Sequence, residues 1–129
     1  MKARLTSLIA VTAAVLALPA LAEGDAAAGE KVFNKCKACH AVGEGAKNKV
    51  GPELNGIVGK AAGTREGFKY SDDLVGLAEG GLIWDDANLH TYLTNPKDLI
   101  PKGKMSFAGL KKEEDINNVI AYLQTFPDM

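Results

Sequence analysis

At 129 residues the chain has room for one small domain, and its 15 basic and 16 acidic side chains leave a net charge of −1, with none of the basic excess that binds nucleic acid. Two cysteines and two histidines argue against a tetrahedral zinc site, because that site needs four ligands and His90 lies fifty positions beyond His40. A mean hydropathy of −0.04 describes a chain that is apolar only in places.

The first such place is the beginning. Lys2 and Arg4 make a short positive region, Leu5 to Leu18 is almost wholly apolar, Pro19 breaks the run, and Ala20-Leu21-Ala22 offers the small residues that a signal peptidase cuts after. The expectation is a cleaved secretory signal over residues 1–22, cut after Ala22, and a single mature domain over residues 23–129 in the periplasm. The apolar run is shorter than the roughly 20 residues needed to cross hydrocarbon, and no later segment is apolar enough to do so. No stable membrane insertion is expected. A domain this small usually needs a staple or a prosthetic group to complete its core.

Asp25 can cap a helix running to about Lys37, with Val32, Phe33 and Cys36 repeating at three and four positions. That helix would end in Cys36-Lys37-Ala38-Cys39-His40. The run C-x-x-C-H reads as a haem attachment site: two thiols on one turn each form a thioether to a haem vinyl group, and the next residue sets an imidazole beneath the iron. Two other readings compete. A thioredoxin-like dithiol expects a strand-helix-strand setting, but no alternating β-branched run precedes Cys36. A Cys36–Cys39 disulfide is the plainest alternative and would use the same two thiols.

Ala41 to Thr64 is glycine-rich and without periodicity, so it reads as loop. Ser71 can cap a short helix through Ala78. Asp85 can cap another, in which Leu89, Tyr92 and Leu93 share a face until Asn95-Pro96 stops it. Pro101 to Gly109 again lacks periodicity. From Lys112 to Phe126, Ile116, Val119, Ile120 and Leu123 form an apolar stripe, and Glu113, Glu114 and Asp115 lie where the helix dipole favours acid. The fold class is therefore all-α, about four helices with long loops and no strand pattern. Loops of that length in a small domain are usually functional, and wrapping a cofactor accounts for them.

His40 supplies one axial ligand, leaving Met105, Met129, His90 and the lysines as candidates for the other. Met129 ends the sequence and is expected to fray. His90 is expected to be an exposed helical histidine on a different face from Leu89 and Leu93. Met105 follows Ile100-Pro101-Lys102-Gly103-Lys104 in a loop among charged residues, unlike a methionine filling a gap in a helical stripe. It is the favoured ligand.

Charge is unevenly spread. Residues 31–60 and 96–112, expected to surround the haem, hold 11 basic and 3 acidic residues, whereas the rest of the mature chain holds 2 and 13. A dipole with its positive end at the haem edge would steer acidic partners onto it. Lys35, Lys37, Lys49, Lys97, Lys102 and Lys104 are the docking candidates, although any single lysine also reads as a solvated surface residue.

Taken together these residues resemble the class I cytochrome c family, near its bacterial cytochrome c2 and mitochondrial branch, over nearly the whole mature chain. Gly29 and Phe33 match a first-helix packing pair, Cys36, Cys39 and His40 the attachment site, and Gly51-Pro52-Glu53-Leu54-Asn55-Gly56 the segment whose proline carbonyl accepts from the proximal imidazole. Gly67-Phe68-Lys69-Tyr70 and Trp84 match aromatic residues near the haem propionates. Tyr92, Asn95, Pro96 and Met105 match the helix, turn and methionine on the far side, and Tyr122 and Leu123 the final helix. Three positions depart from the pattern: Lys60 stands where an arginine is common near a propionate, Leu74 near where an asparagine often contacts buried water, and Gly103 in place of a threonine.

The resemblance implies the class I cytochrome c fold around one covalent haem c, iron ligation by His40 and Met105, and a haem environment that includes Pro52, Tyr70, Trp84 and Tyr92. Tyr92 would hydrogen-bond the Met105 sulfur and Pro52 would orient His40, though each also reads as a packing or turn residue. A neutral thioether and a buried haem favour ferrous iron, so a high potential is expected. The implied function is a monomeric, non-enzymatic electron carrier. It would take single electrons from a cytochrome bc-type complex to a photosynthetic reaction centre or a terminal oxidase. Two alternatives are a haem peroxidase and a gas-binding sensor, each acting after Met105 is displaced.

Overall fold

The computed structural model describes residues 3, 7–12 and 24–129. The expected cleavage point after Ala22 and most of the leader lie outside the described residues. Five helices follow in order: α1 Ala26–Phe33, α2 Asp72–Glu79, α3 Asp86–Thr94, α4 Pro96–Leu99 and α5 Glu113–Leu123.

The caps read from the sequence are in place. Asp25 accepts from the Ala27 and Ala28 amides at 2.9 and 3.4 Å, Ser71 from Leu74 at 3.2 Å, and Asp85 from Asn88 at 2.8 Å, each satisfying a donor that the first helical turn leaves free. Lys112 precedes α5 without a side-chain cap, and three acids in its first turn face the positive end of the dipole instead.

α1 ends four residues earlier than the sequence suggests, at Phe33 rather than Lys37. Beyond it the chain tightens: the Cys36 amide turns back to the Phe33 carbonyl at 2.8 Å, and a separate turn closes where the His40 amide donates to the Cys36 carbonyl at 2.9 Å. The C-x-x-C-H segment thus continues from α1 as turns rather than as helix. A second correction concerns Asn95-Pro96, expected only to stop a helix. Asn95 ends α3 and caps α4, accepting from the Lys97 amide at 3.3 Å, and Pro96 opens α4 where its missing N–H costs nothing.

The scaffold is a crossing of α1 over α5. A Cβ on Gly29 would lie inside contact distance of the Asn118 carbonyl and 2.8 Å from the Tyr122 Cβ, so only glycine lets the backbones approach this closely. The Asn118 side chain ties the same junction by accepting from the Asp25 amide at 2.9 Å. Phe33 packs on Tyr122 with ring centroids 5.5 Å apart. Phe33, Ile120, Val119, Ile100, Leu89, Leu110 and Trp84 are all buried in one core.

Among the described residues the only β pairing is an isolated antiparallel bridge between Ala61 and Ile83. Backbone bonds beside it, Trp84 to the Lys60 carbonyl at 2.8 Å and Gly59 to the Trp84 carbonyl at 2.7 Å, fasten the long loop to the segment before α3. Among the described residues no helix is long and apolar enough to cross a membrane.

Candidate functional site

The elements leave a cleft of about 1550 Å³, its open mouth included, and its lining contains Cys36, Cys39, His40, Pro52, Tyr70, Trp84, Tyr92 and Met105. Every residue expected at the haem from the sequence therefore reaches one cavity. Much of the remaining lining is apolar, with Phe33, Leu54, Ile57, Leu74, Leu89, Leu93, Ile100 and Phe107 among it, which suits a large flat hydrophobic group.

His40 is held on two sides. Its Nδ1 lies 2.6 Å from the Pro52 carbonyl oxygen. A carbonyl only accepts, so Nδ1 carries the proton and Nε2 keeps a lone pair free for a metal. Burial pushes the imidazole pKa down, the Pro52 carbonyl acting against it and Lys49 adding to it, which keeps the ring neutral. Gly51 supplies the second side: a Cβ there would stand 2.8 Å from Nδ1 and 2.9 Å from Nε2. Burial also pushes the Cys36 thiol up, with Lys35 opposing. That is the reverse of the lowered pKa that makes a reactive dithiol.

Met105 is carried by the loop after α4, which is fastened at several points. The Lys102 amide donates to Asp73 on α2 at 2.9 Å, the Gly103 amide to Ile100 at 3.0 Å, and the Leu110 amide to Leu93 at 2.7 Å. Tyr92, on α3, donates its hydroxyl to the Met105 sulfur at 3.3 Å. Burial raises the Tyr92 pKa to about 12, so the hydroxyl keeps its proton for that bond. The other candidate ligands lie elsewhere. Met129 is 62 % exposed, and His90 is half-buried rather than exposed, its Nε2 3.6 Å from Asp86.

One polar edge of the cleft differs from expectation. Lys60 was the residue expected in place of an arginine, but an arginine is present: Arg65, which lines the cleft with a side chain only 13 % exposed. Its guanidinium pairs with Glu53 at 2.8 Å and Asp128 at 2.9 Å and also donates to the Asn55 carbonyl. Its backbone amide donates to the Tyr70 hydroxyl oxygen at 3.0 Å, which leaves the Tyr70 proton to be given to another group. The Arg65 Nε is buried without a partner among the described residues. An orphaned cationic donor beside a free phenolic one fits a group that brings carboxylates to this edge, as haem propionates would.

Arg65, Glu53, Asn55 and Asp128 were not anticipated as site residues. Asn55 bridges the loop by accepting from the Gly43 amide at 2.7 Å and donating to its carbonyl at 2.9 Å. No periodicity marks any of them, and Arg65 lies just beyond the loop read over Ala41 to Thr64.

The six docking candidates are all exposed, and among the described residues none forms an ion pair. Lys35 and Lys104 border the cleft itself, and Lys97 and Lys104 flank a shallow depression beside Met105 and Phe107. Two are tethered by their ammonium groups, Lys49 to the Lys37 carbonyl at 2.7 Å and Lys104 to the Lys69 carbonyl at 3.4 Å.

The profile of the family described as "Cytochrome c" matches residues 26–127. A cytochrome c2 of Afifella marina is 57% identical over 100 residues, covering 78% of this chain and 81% of its own. A cytochrome c-554 of Methylosinus trichosporium is 52% identical over 122 residues, 95% of this chain and 90% of its own. The solved structure of a cytochrome c2 from Rhodospirillum centenum superposes with a TM-score of 0.76 at 40% identity, over 81% of this chain and all 100% of that one. Membership of this family brings a covalently bound haem c and its iron, which the C-x-x-C-H at Cys36 to His40 and the cleft beside it suit. The chain belongs to the cytochrome c family as a class I c-type cytochrome of the c2 branch, an electron carrier rather than an enzyme.

Proposed function

We propose that the chain, exported and cut after Ala22, works in the periplasm as a monomeric carrier of single electrons between a cytochrome bc-type complex and a photosynthetic reaction centre or terminal oxidase. Cys36 and Cys39 would hold the haem by thioethers, and His40 and Met105 would hold its iron. When bound, the haem iron supplies a one-electron ferric–ferrous couple. The observation that carries the reading is a single cleft lined by both an imidazole with its Nε2 free and a methionine sulfur held by Tyr92.

The protein's own groups account for the expected behaviour. Pro52 and Gly51 hold the His40 ring so that ligation needs little rearrangement. The Tyr92 hydroxyl withdraws electron density from the Met105 sulfur, and the apolar lining excludes water; both disfavour the more positive oxidation state. The exposed lysines around the mouth attract an acidic partner and orient it toward the cleft.

The deciding measurement is the visible spectrum of the purified ferric protein. The weak long-wavelength band of sulfur bound to iron is expected in the parent and absent from Met105→Ala. Survival of the band in that variant would overturn the ligand assignment. Charge reversal at Lys35, Lys37, Lys102 and Lys104 should slow electron transfer at low salt, and unchanged kinetics would rule out the docking role.

A further inference from the structure

The segment after α5 does more than leave the core. The Phe126 ring sits edge-on to Tyr122 with centroids 5.0 Å apart, and the Phe126 carbonyl accepts from the Gly56 amide at 2.8 Å. Gly56 has φ +66°, and a Cβ there would stand 2.8 Å from both the Cβ and the amide nitrogen of Asp128. The segment is thus seated on the loop that carries Pro52 and Glu53, so closely that only glycine fits between them.

This seating delivers one carboxylate to two cations. Asp128 Oδ2 lies 2.7 Å from the Lys60 ammonium and Oδ1 2.9 Å from the Arg65 guanidinium. Lys60 and Arg65 both line the cleft. The same Arg65 nitrogen, Nη1, also meets Glu53 at 2.8 Å, and Nε keeps no partner among the described residues. Asp128 itself is 58 % exposed, and its two partners hold its carboxyl at about 2, well below the ordinary carboxylate range. It is charged at any working pH.

Resting on the haem reading above, we propose that Asp128 is a positioning residue for the cofactor's carboxylate edge, a clasp that fixes the Arg65 guanidinium and the Lys60 ammonium where haem propionates are received. It never touches the iron or its ligands. Without it, Lys60 returns to solvent and Arg65 keeps only Glu53 and the Asn55 carbonyl, so the charge presented to the propionates changes in place and in sum.

The test uses the holoprotein with Asp128→Asn, Asp128→Glu, Arg65→Gln and the double variant Asp128→Asn/Arg65→Gln. Asp128→Asn removes a negative charge beside the cofactor edge and should favour the reduced form two- to threefold, an upward shift of roughly 20–30 mV at 59 mV per tenfold. Asp128→Glu should restore most of the parent value. In the Arg65→Gln background the Asp128→Asn shift should shrink, leaving only the part carried by Lys60 and by the lost charge itself. Amide exchange at Gly56 gives a readout that does not depend on redox chemistry, and its protection should fall in Asp128→Asn and persist in Asp128→Glu. An unmoved potential, or a shift that is fully additive with Arg65→Gln, overturns the proposal, as does unchanged Gly56 protection. The covalent haem and the long-wavelength band should persist in all four variants, so their loss in the parent would instead indict the haem and ligand assignment.

Discussion

Two glycine-to-alanine substitutions inside helices should move stability in opposite directions. Gly29 lies in α1 where a Cβ would stand 2.5 Å from the Asn118 carbonyl carbon and 2.8 Å from the Tyr122 Cβ. Both neighbours belong to α5, one of them backbone, so neither can yield without moving a helix. Helix propensity favours alanine by about 1 kcal/mol. Overpacking of this kind costs about 1–3 kcal/mol or more, and prising α1 from α5 also weakens the Phe33–Tyr122 contact, worth about 0.5–1.5 kcal/mol. Gly29→Ala should therefore be destabilised by about 0.5–3.5 kcal/mol, lowering Tm by roughly 2–20 °C in a domain of this size. Gly76 lies inside α2 with nothing within 4 Å of its virtual Cβ. There the propensity term stands alone, and Gly76→Ala should be stabilised by about 0.5–1 kcal/mol. Guanidinium unfolding of both holoproteins followed by far-ultraviolet circular dichroism gives the comparison. Equal effects of the same sign would refute the claim that close approach at Gly29 sets the helix crossing.

Tyr92→Phe removes the hydroxyl 3.3 Å from the Met105 sulfur and should lower the midpoint potential by up to about 59 mV, one tenfold step in the redox equilibrium, with the long-wavelength band retained; an unchanged potential in a redox titration would show that the hydroxyl does not act on the sulfur. Asp128 has a folded pKa of about 2, below its unfolded value, so its contribution is present above the unfolded pKa and is lost as pH falls through the folded one. Acid titrations should accordingly show Asp128→Asn losing less stability than the parent between about pH 4 and 2, and parallel curves there would count against the ion pairs. Raising ionic strength should slow association with an acidic partner while moving the midpoint potential little, as stopped-flow and potentiometry at several salt concentrations would reveal.

Much of the site was legible because the signals for it are local. Cys36, Cys39 and His40 lie within five consecutive positions, and the caps at Asp25, Ser71 and Asp85 each act within three residues. Met105 stood out because a thioether in a charged loop has no packing reason to be there. The misread boundaries have equally local causes. α1 stops at Phe33 because the Asn34, Lys35 and Cys36 amides each turn back three residues rather than four, and Asn95-Pro96 both ends one helix and starts the next, since the features that stop a helix also cap one. The polar edge escaped because its pairings are remote. Arg65 meets Asp128 across 63 positions, and Lys60 meets it across 68; no periodicity or spacing encodes such a meeting. Arg65 and Asp128 also lie outside residues 31–60 and 96–112, the stretches expected to surround the haem.

The structure holds two charge systems that composition merges. Glu53, Arg65, Lys60 and Asp128 form a cluster of two cations and two anions, with Arg65 and Glu53 almost withdrawn from water at 13 % and 9 % side-chain exposure. Its members largely cancel at a distance, and a pair so placed is poorly screened by salt. Removing one partner leaves the other buried and uncompensated, which is why the cluster constrains local geometry more strongly than it adds net stability. The lysines around the mouth are the opposite case: exposed, without acidic partners among the described residues and of one sign, they add at long range and fade within a Debye length of about 8 Å at physiological salt. A carrier must present the same redox couple to every partner yet meet each one briefly. Placing the compensated charges at the cofactor edge and the uncompensated ones on the rim lets association respond to salt while the couple stays shielded from it.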